Sequence, residues 1–251
     1  MNESSQKIST GIEGLDILLD GGFPQNRAIL VIGGPGGGKT ILCTQFLKEG
    51  IERFDENGLY VSLDYLKKSF MQDMMQFGWD FSSLEEQNSF FFLDCSAIRR
   101  STNIKSIDDK LYSTEELTLE DLMDLISLYV ERINAKRVVI DDLTAFVFRY
   151  PDPIQRRYAI LSLLESLSSL NVSVLIITEA TVYDLSREIN PEEYLSDGVV
   201  SMFMLKDGTR VIQISKMRGV KADNKPHPYT IVDKLGIQVF PNESIFKNGE
   251  K

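Results

Sequence analysis

An apolar run at residues 28–32 (AILVI) leads directly into Gly33-Gly34-Pro35-Gly36-Gly37-Gly38-Lys39-Thr40. The run reads as a strand buried on both faces, the habit of parallel sheets. The octapeptide fits G-x-x-x-x-G-K-[ST] in full, the pattern of a phosphate-cradling loop. Glycines let backbone N–H groups turn inward and approach phosphate oxygens with no Cβ between them. A helix opening at Lys39 adds the positive end of its dipole. Leu42, Cys43, Phe46, Leu47 and Ile51 recur at helical spacing, so strand, loop and helix stand in the order the motif requires. Lys39 is then the cation for the β- and γ-phosphates and the Thr40 hydroxyl a ligand for Mg²⁺. The residues placed against the nucleotide are Gly34, Pro35, Gly36, Gly37, Gly38, Lys39, Thr40 and Ile41.

The rest of the chain supplies a parallel sheet to hold this loop. Short apolar runs at 59–63, 90–93, 138–140 and 172–177 alternate with amphipathic stretches at 119–133 and 160–167. Thr118, three residues before Asp121, marks a helix start. Strands alternating with helices indicate βαβ units. After Asp197 the pattern changes: 199–205, 210–217, 229–232 and 237–240 read as strands without helices between them, with Asp207-Gly208 as a hairpin turn. The expected architecture is α/β, a mostly parallel sheet flanked by helices with antiparallel C-terminal strands. One domain is expected over 1–251: an N-terminal segment 1–27, an α/β core 28–198 and a C-terminal β extension 199–251.

A metal-binding acid is expected at the carboxyl end of a second buried strand, facing the same crevice as the loop. Val138-Val139-Ile140-Asp141 provides it, and Asp142 is expected to turn to the other side. Composition narrows the partners. Thirty-seven acidic against 27 basic residues give a net charge of −10, which opposes broad adhesion to phosphate polymers. Two cysteines and one histidine, His227, do not make a zinc site of the usual kind. No apolar stretch reaches the length of a membrane span, and residues 1–10 lack a secretory core, so a cytoplasmic location is expected. Arg99, Arg100 and Lys105 fall in a polar stretch with four acids close behind and read as a solvated loop.

Ser9-Thr10-Gly11-Ile12-Glu13-Gly14-Leu15-Asp16 and Gly21-Gly22-Phe23-Pro24 resemble the opening of KaiC-like ATPases of the RecA superfamily. The likeness continues through Thr178-Glu179, Glu193-Tyr194-Leu195-Ser196-Asp197-Gly198 and Lys216-Met217-Arg218-Gly219, and so covers nearly the whole chain. It implies a RecA-like sheet, ATP with Mg²⁺ at subunit boundaries, and a homo-oligomer, often a hexamer. It assigns Glu179 to sensing the γ-phosphate. It gives Lys216 and Arg218 to a neighbouring subunit's nucleotide, and alternation along a strand puts both on the face of Ile212 and Ile214. The family's adjacent pair of acids, which activates water, falls on Asp64 and Tyr65. One acid is shortened and the other lost, which predicts slow hydrolysis; the competing reading has Asp64 cap the helix that follows.

Three functions remain open from sequence: a nucleotide-driven assembly or regulatory switch with slow ATPase activity, a recombinase paralog that binds DNA, and a non-hydrolysing scaffold. The segment 180–196 has one arginine against several acids, which disfavours DNA contact.

Overall fold

The computed structural model describes residues 6–95, 118–144, 150–179, 191–243 and 245. Arg99, Arg100, Lys105 and most of the 180–196 segment lie outside the described residues.

In chain order the elements are β1 (Lys7–Ile8), α1 (Glu13–Leu18), β2 (Phe23–Pro24), β3 (Ala28–Gly33), α2 (Lys39–Phe54), β4 (Gly58–Ser62), α3 (Lys67–Gln76), α4 (Phe81–Glu86), β5 (Phe90–Asp94) and α5 (Leu119–Arg132). They continue with β6 (Arg137–Asp141), α6 (Pro153–Ser169), β7 (Ser173–Glu179), α7 (Pro191–Leu195), β8 (Gly198–Met204), β9 (Arg210–Met217), β10 (Pro226–Val232) and β11 (Gly236–Val239). One nine-stranded sheet runs β11-β10-β9-β8-β3-β7-β6-β4-β5. From β8 to β5 every neighbouring pair is parallel; β9, β10 and β11 add antiparallel strands at one edge. The expected α/β class holds, but the change of direction comes one strand later than the sequence suggested. β8 pairs parallel with β3 itself, Leu30 opposite Val199, so it belongs with the strands around the glycine loop.

The apolar runs decide this arrangement. All six residues of β3 are buried, because side chains alternate between two separate cores. Ile29 and Val31 face the layer of α2, α3 and α4, while Leu30 and Ile32 face α5 and α6. A strand covered on both faces has no polar side to offer, hence its unbroken hydrophobicity. Helix starts are cued locally. At α5 the Thr118 hydroxyl accepts from Asp121 N at 3.1 Å and the Asp121 carboxylate accepts from Thr118 N at 3.0 Å. At α6, Asp152 accepts from Ile154 N and Gln155 N, with Pro153 in the first turn.

The opening signature has a structural role. Asp16 accepts from Ser9 Oγ at 2.6 Å and from Thr10 N at 2.7 Å, pinning the entry to α1. Gly14 then lies against the Val239 carbonyl, where a Cβ would overlap the main chain, so α1 packs directly on β11.

Thr118→Ala removes one half of the reciprocal cap and leaves the Asp121 amide unpaired. A loss of about 1 kcal/mol is expected, and a denaturant titration of the two proteins compared at equal slope checks it.

Candidate functional site

The loop after β3 is built from main chain. Gly36 has φ 73° and Gly38 has φ 84°, both in the left-handed region where other residues are strained. Gly38 caps α2 without any side-chain hydrogen bond, and no acid stands in the helix's first turn. The first N–H groups of α2 are therefore left to an anion. Lys39 Nζ donates to Gly33 O and Gly34 O, each at 2.9 Å, which folds its cation back over the loop. Burial lowers its pKa, and Glu179, Asp141 and Asp142 oppose that shift.

The register explains why those carboxylates converge. Glu179 ends β7 as the Cα partner of Gly33, in the strand beside the loop. Its main-chain N–H donates to Thr144 Oγ1 at 3.0 Å, and the Thr144 and Thr178 hydroxyls lie 3.4 Å apart. Asp141 ends β6, one strand further, and its Oδ2 lies 3.5 Å from Thr40 Oγ1. A hydroxyl and a carboxylate at that spacing form an all-oxygen pair of the kind Mg²⁺ takes alongside phosphate and water. Burial pushes Asp141 up to about 6; the Tyr60 hydroxyl, which donates to it, works the other way, and Asp142 adds to the rise. Asp142 was expected to turn away from the crevice. β6 ends at Asp141, so strand alternation no longer governs the next residue, and the Asp142 charge is felt at both Asp141 and Lys39.

Asp64 follows β4, two strands beyond β7, and is exposed. The preceding amide, Leu63 N, donates to Asp141 O at 2.7 Å, which brings the two strand ends together. The N-cap position of α3 is Leu66 rather than Asp64, and Lys67 N donates to Asp94 Oδ2 at 3.1 Å. Tyr65 is held by packing and a hydrogen bond. Its ring meets Phe70 edge-on, its hydroxyl donates to Asp73, and burial with that bond raises its pKa.

Lys216 and Arg218 sit elsewhere. The pairing of β8 with β9 slips at Ser215, so that Ile214 opposes Val200 whereas Lys216 opposes Val199. The extra residue reverses the alternation. Lys216 and Arg218 therefore share a face, as expected, but not the face of Ile212 and Ile214, which belongs to the other core. Lys216 Nζ donates to the carbonyls of Glu193 (2.9 Å), Tyr194 (3.0 Å) and Ser196 (2.6 Å) at the end of α7. Arg218 donates to Tyr194 O at 3.3 Å, lies 3.8 Å from Asp197, and keeps 56% of its side chain exposed. Val199 is level with Leu30, and Arg218 lies beyond the start of β8, so both cations occupy the opposite end of the sheet from their own loop.

Three residues escaped the sequence reading. Tyr60 lies inside an apolar run, and its need for a buried partner was the only available signal. Tyr229, on β10, donates its hydroxyl to Gly37 O and so braces the loop from the antiparallel edge. Arg210 opens β9 with its Nε buried and unpartnered among the described residues; burial pushes Tyr229 up to about 12, and the Arg210 charge opposes that rise. No spacing in the sequence marks either of the last two, because antiparallel pairing is what brings Tyr229 to the loop and Arg210 near Tyr229.

A family model described as "ATPase: KaiC" matches residues 8–244. The chain belongs to the KaiC ATPase family. It is 36% identical to the circadian clock oscillator protein KaiC of Picosynechococcus over 94% of its own length, yet spans only 45% of that protein. The UPF0273 protein PH0284 of Pyrococcus horikoshii is 32% identical, with 98% of each chain covered. The crystal structure of the KaiC-like protein PH0186, also from Pyrococcus horikoshii, matches with a TM-score of 0.78 and 28% identity, covering 94% of this chain and all of that one. The family and its RecA-like sheet thus agree with the resemblance noted above, and an ATPase that binds nucleotide is the family's activity. Among the described residues no helix is long and apolar enough to cross a membrane.

Asp141 generates a test with a definite sign. A folded-state pKa near 6 exceeds the ordinary carboxylate value, so the stabilising contribution belongs to the neutral form. It is present below that ordinary value and is lost as pH rises through about 6. Asp141→Asn is expected to stabilise the nucleotide-free protein at about pH 7 by up to about 3 kcal/mol, with the difference nearly gone at about pH 3. Melting curves at both pH values check it.

Proposed function

We propose that the protein binds ATP with Mg²⁺ and hydrolyses it slowly at the boundary between two copies of the chain, so that nucleotide state governs assembly or partner binding. The observation that carries this reading is the split between the two ends of the sheet. The anion-binding loop, Lys39, Thr40, Asp141 and Glu179 gather at one end. Lys216 and Arg218, the cations suited to stabilising charge on a transferring phosphoryl group, stand at the other. Within one chain they do not meet. A second copy docked end against end brings them to the nucleotide, and a ring of copies, as large as a hexamer, repeats that contact.

The roles follow from the chemistry. Lys39 leaves its carbonyl partners to neutralise the β- and γ-phosphates. Thr40 and Asp141 hold Mg²⁺, whose charge polarises the γ-phosphate when it is bound. Glu179, beside Gly33, senses the γ-phosphate, and Arg210 supplies a further cation on the side of the loop facing β9. Slow turnover is supported by Asp64 and Tyr65. An aspartate ends about 1.5 Å short of a glutamate, and the Tyr65 phenol, with its raised pKa and its bond to Asp73, does not replace the lost acid. The chain's acidity, with 37 acidic residues against 27 basic, favours this reading over DNA recognition.

Two experiments separate the parts. Mixing Arg218→Ala protein, intact in its loop, with Lys39→Ala protein, intact in its cations, restores hydrolysis if the finger acts between copies. Each variant alone is expected to fall at least about ten-fold, and no recovery on mixing sinks the shared site. For Asp64, phosphate release by Asp64→Asn should drop by roughly 10²-fold with nucleotide affinity unchanged. Equal rates would remove Asp64 from the chemistry.

A further inference from the structure

Arg137 opens β6, and its side chain is wholly buried, 0% exposed. Taking a guanidinium out of water costs far more than burying an apolar chain of equal volume, so a core arginine calls for a reason. Among the described residues, the hydrogen-bond, ion-pair and ring partners of the side chain lie on α2 or in the turn after it. Nη1 donates to Phe46 O at 2.8 Å. Nε donates to Glu56 Oε2 at 2.6 Å, and Nη2 approaches the same oxygen at 2.6 Å as an ion pair without hydrogen-bond alignment. The cation stacks 4.4 Å from the Phe46 ring and 5.4 Å from the Phe54 ring. It enters α2 at Gly50, where a Cβ would overlap Nε, Cδ and Cζ. The main chain agrees, since Arg137 N donates to Asn57 O at 3.2 Å.

These contacts tie together two elements that each deliver one metal-binding oxygen. Phe46 lies six residues after Thr40 on α2, about 9 Å along the helix. Arg137 lies four residues before Asp141 on β6, about 13 Å along the strand. An apolar side chain would fill the same space but allow α2 to slide or turn over the sheet. A planar fork held by a carbonyl, a carboxylate and two rings does not.

We propose that Arg137 is a positioning residue that locks the P-loop helix onto the strand carrying Asp141, and so sets the Thr40–Asp141 spacing at which a divalent cation is gripped. This rests on the reading above that Thr40 and Asp141 hold Mg²⁺. Residues beyond the ligands that fix their geometry change metal affinity by about 10–100-fold when lost.

The test measures nucleotide affinity by calorimetry as Mg²⁺ is titrated, using the full chain and a non-hydrolysable ATP analogue. In Arg137→Met the Mg²⁺ concentration for half-maximal tightening should rise by about ten-fold or more. Affinity in chelator should stay within about two-fold, because the loop amides and Lys39 are untouched. Gly50→Ala is the second arm: it favours helix and keeps the cation, yet drives the guanidinium from its notch. The same rise is expected there, and Arg137→Lys should recover little, having no fork. An unchanged Mg²⁺ midpoint in Arg137→Met and Gly50→Ala, with only the melting temperature lowered, would show a purely structural arginine and overturn the proposal. Should Arg137→Met fail to fold, Gly50→Ala decides alone. An unmutated chain whose affinity ignores Mg²⁺ would instead overturn the Thr40–Asp141 reading, and this inference with it.

Discussion

The site depends on a patch of unpaired main-chain donors at the start of α2. Two glycines in left-handed conformations turn the chain between a fully buried strand and a helix that no side chain caps. The result is a rigid hole for an anion, with the helix dipole behind it and a buried strand beneath it. Lys39 closes the hole by bonding to the loop's own carbonyls, and so its cation is already desolvated and directed. Glu179 and Asp141 reach this place only because their strands lie one and two positions away in a parallel sheet.

Burial gives the polar groups of the crevice their character. Asp141 sits where a charge is costly, with the Tyr60 hydroxyl and Thr40 as its neutral partners. Such a carboxylate gains from a divalent cation, which offsets the desolvation. At the far end of the sheet the logic is structural as well as electrostatic. Lys216 gathers three carbonyls at the end of α7, and the amide of Arg218 donates to Asp197 O at 2.9 Å. Residues 193–197 and 216–218, separate in sequence, are thus one cluster. Lys216 is anchored, while Arg218 stays exposed.

Much of this was legible in the sequence. The octapeptide, the strand before it and the helix after it are local signals, and the structure places each as its residues indicate. The place of Asp141 was legible because a short apolar run closed by an acid identifies a strand end. What sequence missed involves pairing. The slip at Ser215 reverses the face of Lys216, and no residue type announces a bulge of this kind. The parallel run of β8 was hidden because α7 before it is only five residues long, too short to show a helical period. Tyr229 reaches the loop from an antiparallel edge, over a separation that local patterns do not report.

The amino-acid sequence by itself determined the anion hole, since loop conformation and helix start are set by residues within a few positions of each other. It also determined the two-sided burial of the central strands, because only apolar runs survive between two helical layers. Only the tertiary structure decided which acids meet Lys39, which hydroxyl meets Asp141, and that Lys216 and Arg218 lie out of reach of their own phosphate site. Strand order and register set those distances, and both follow from how the whole sheet packs rather than from any one segment.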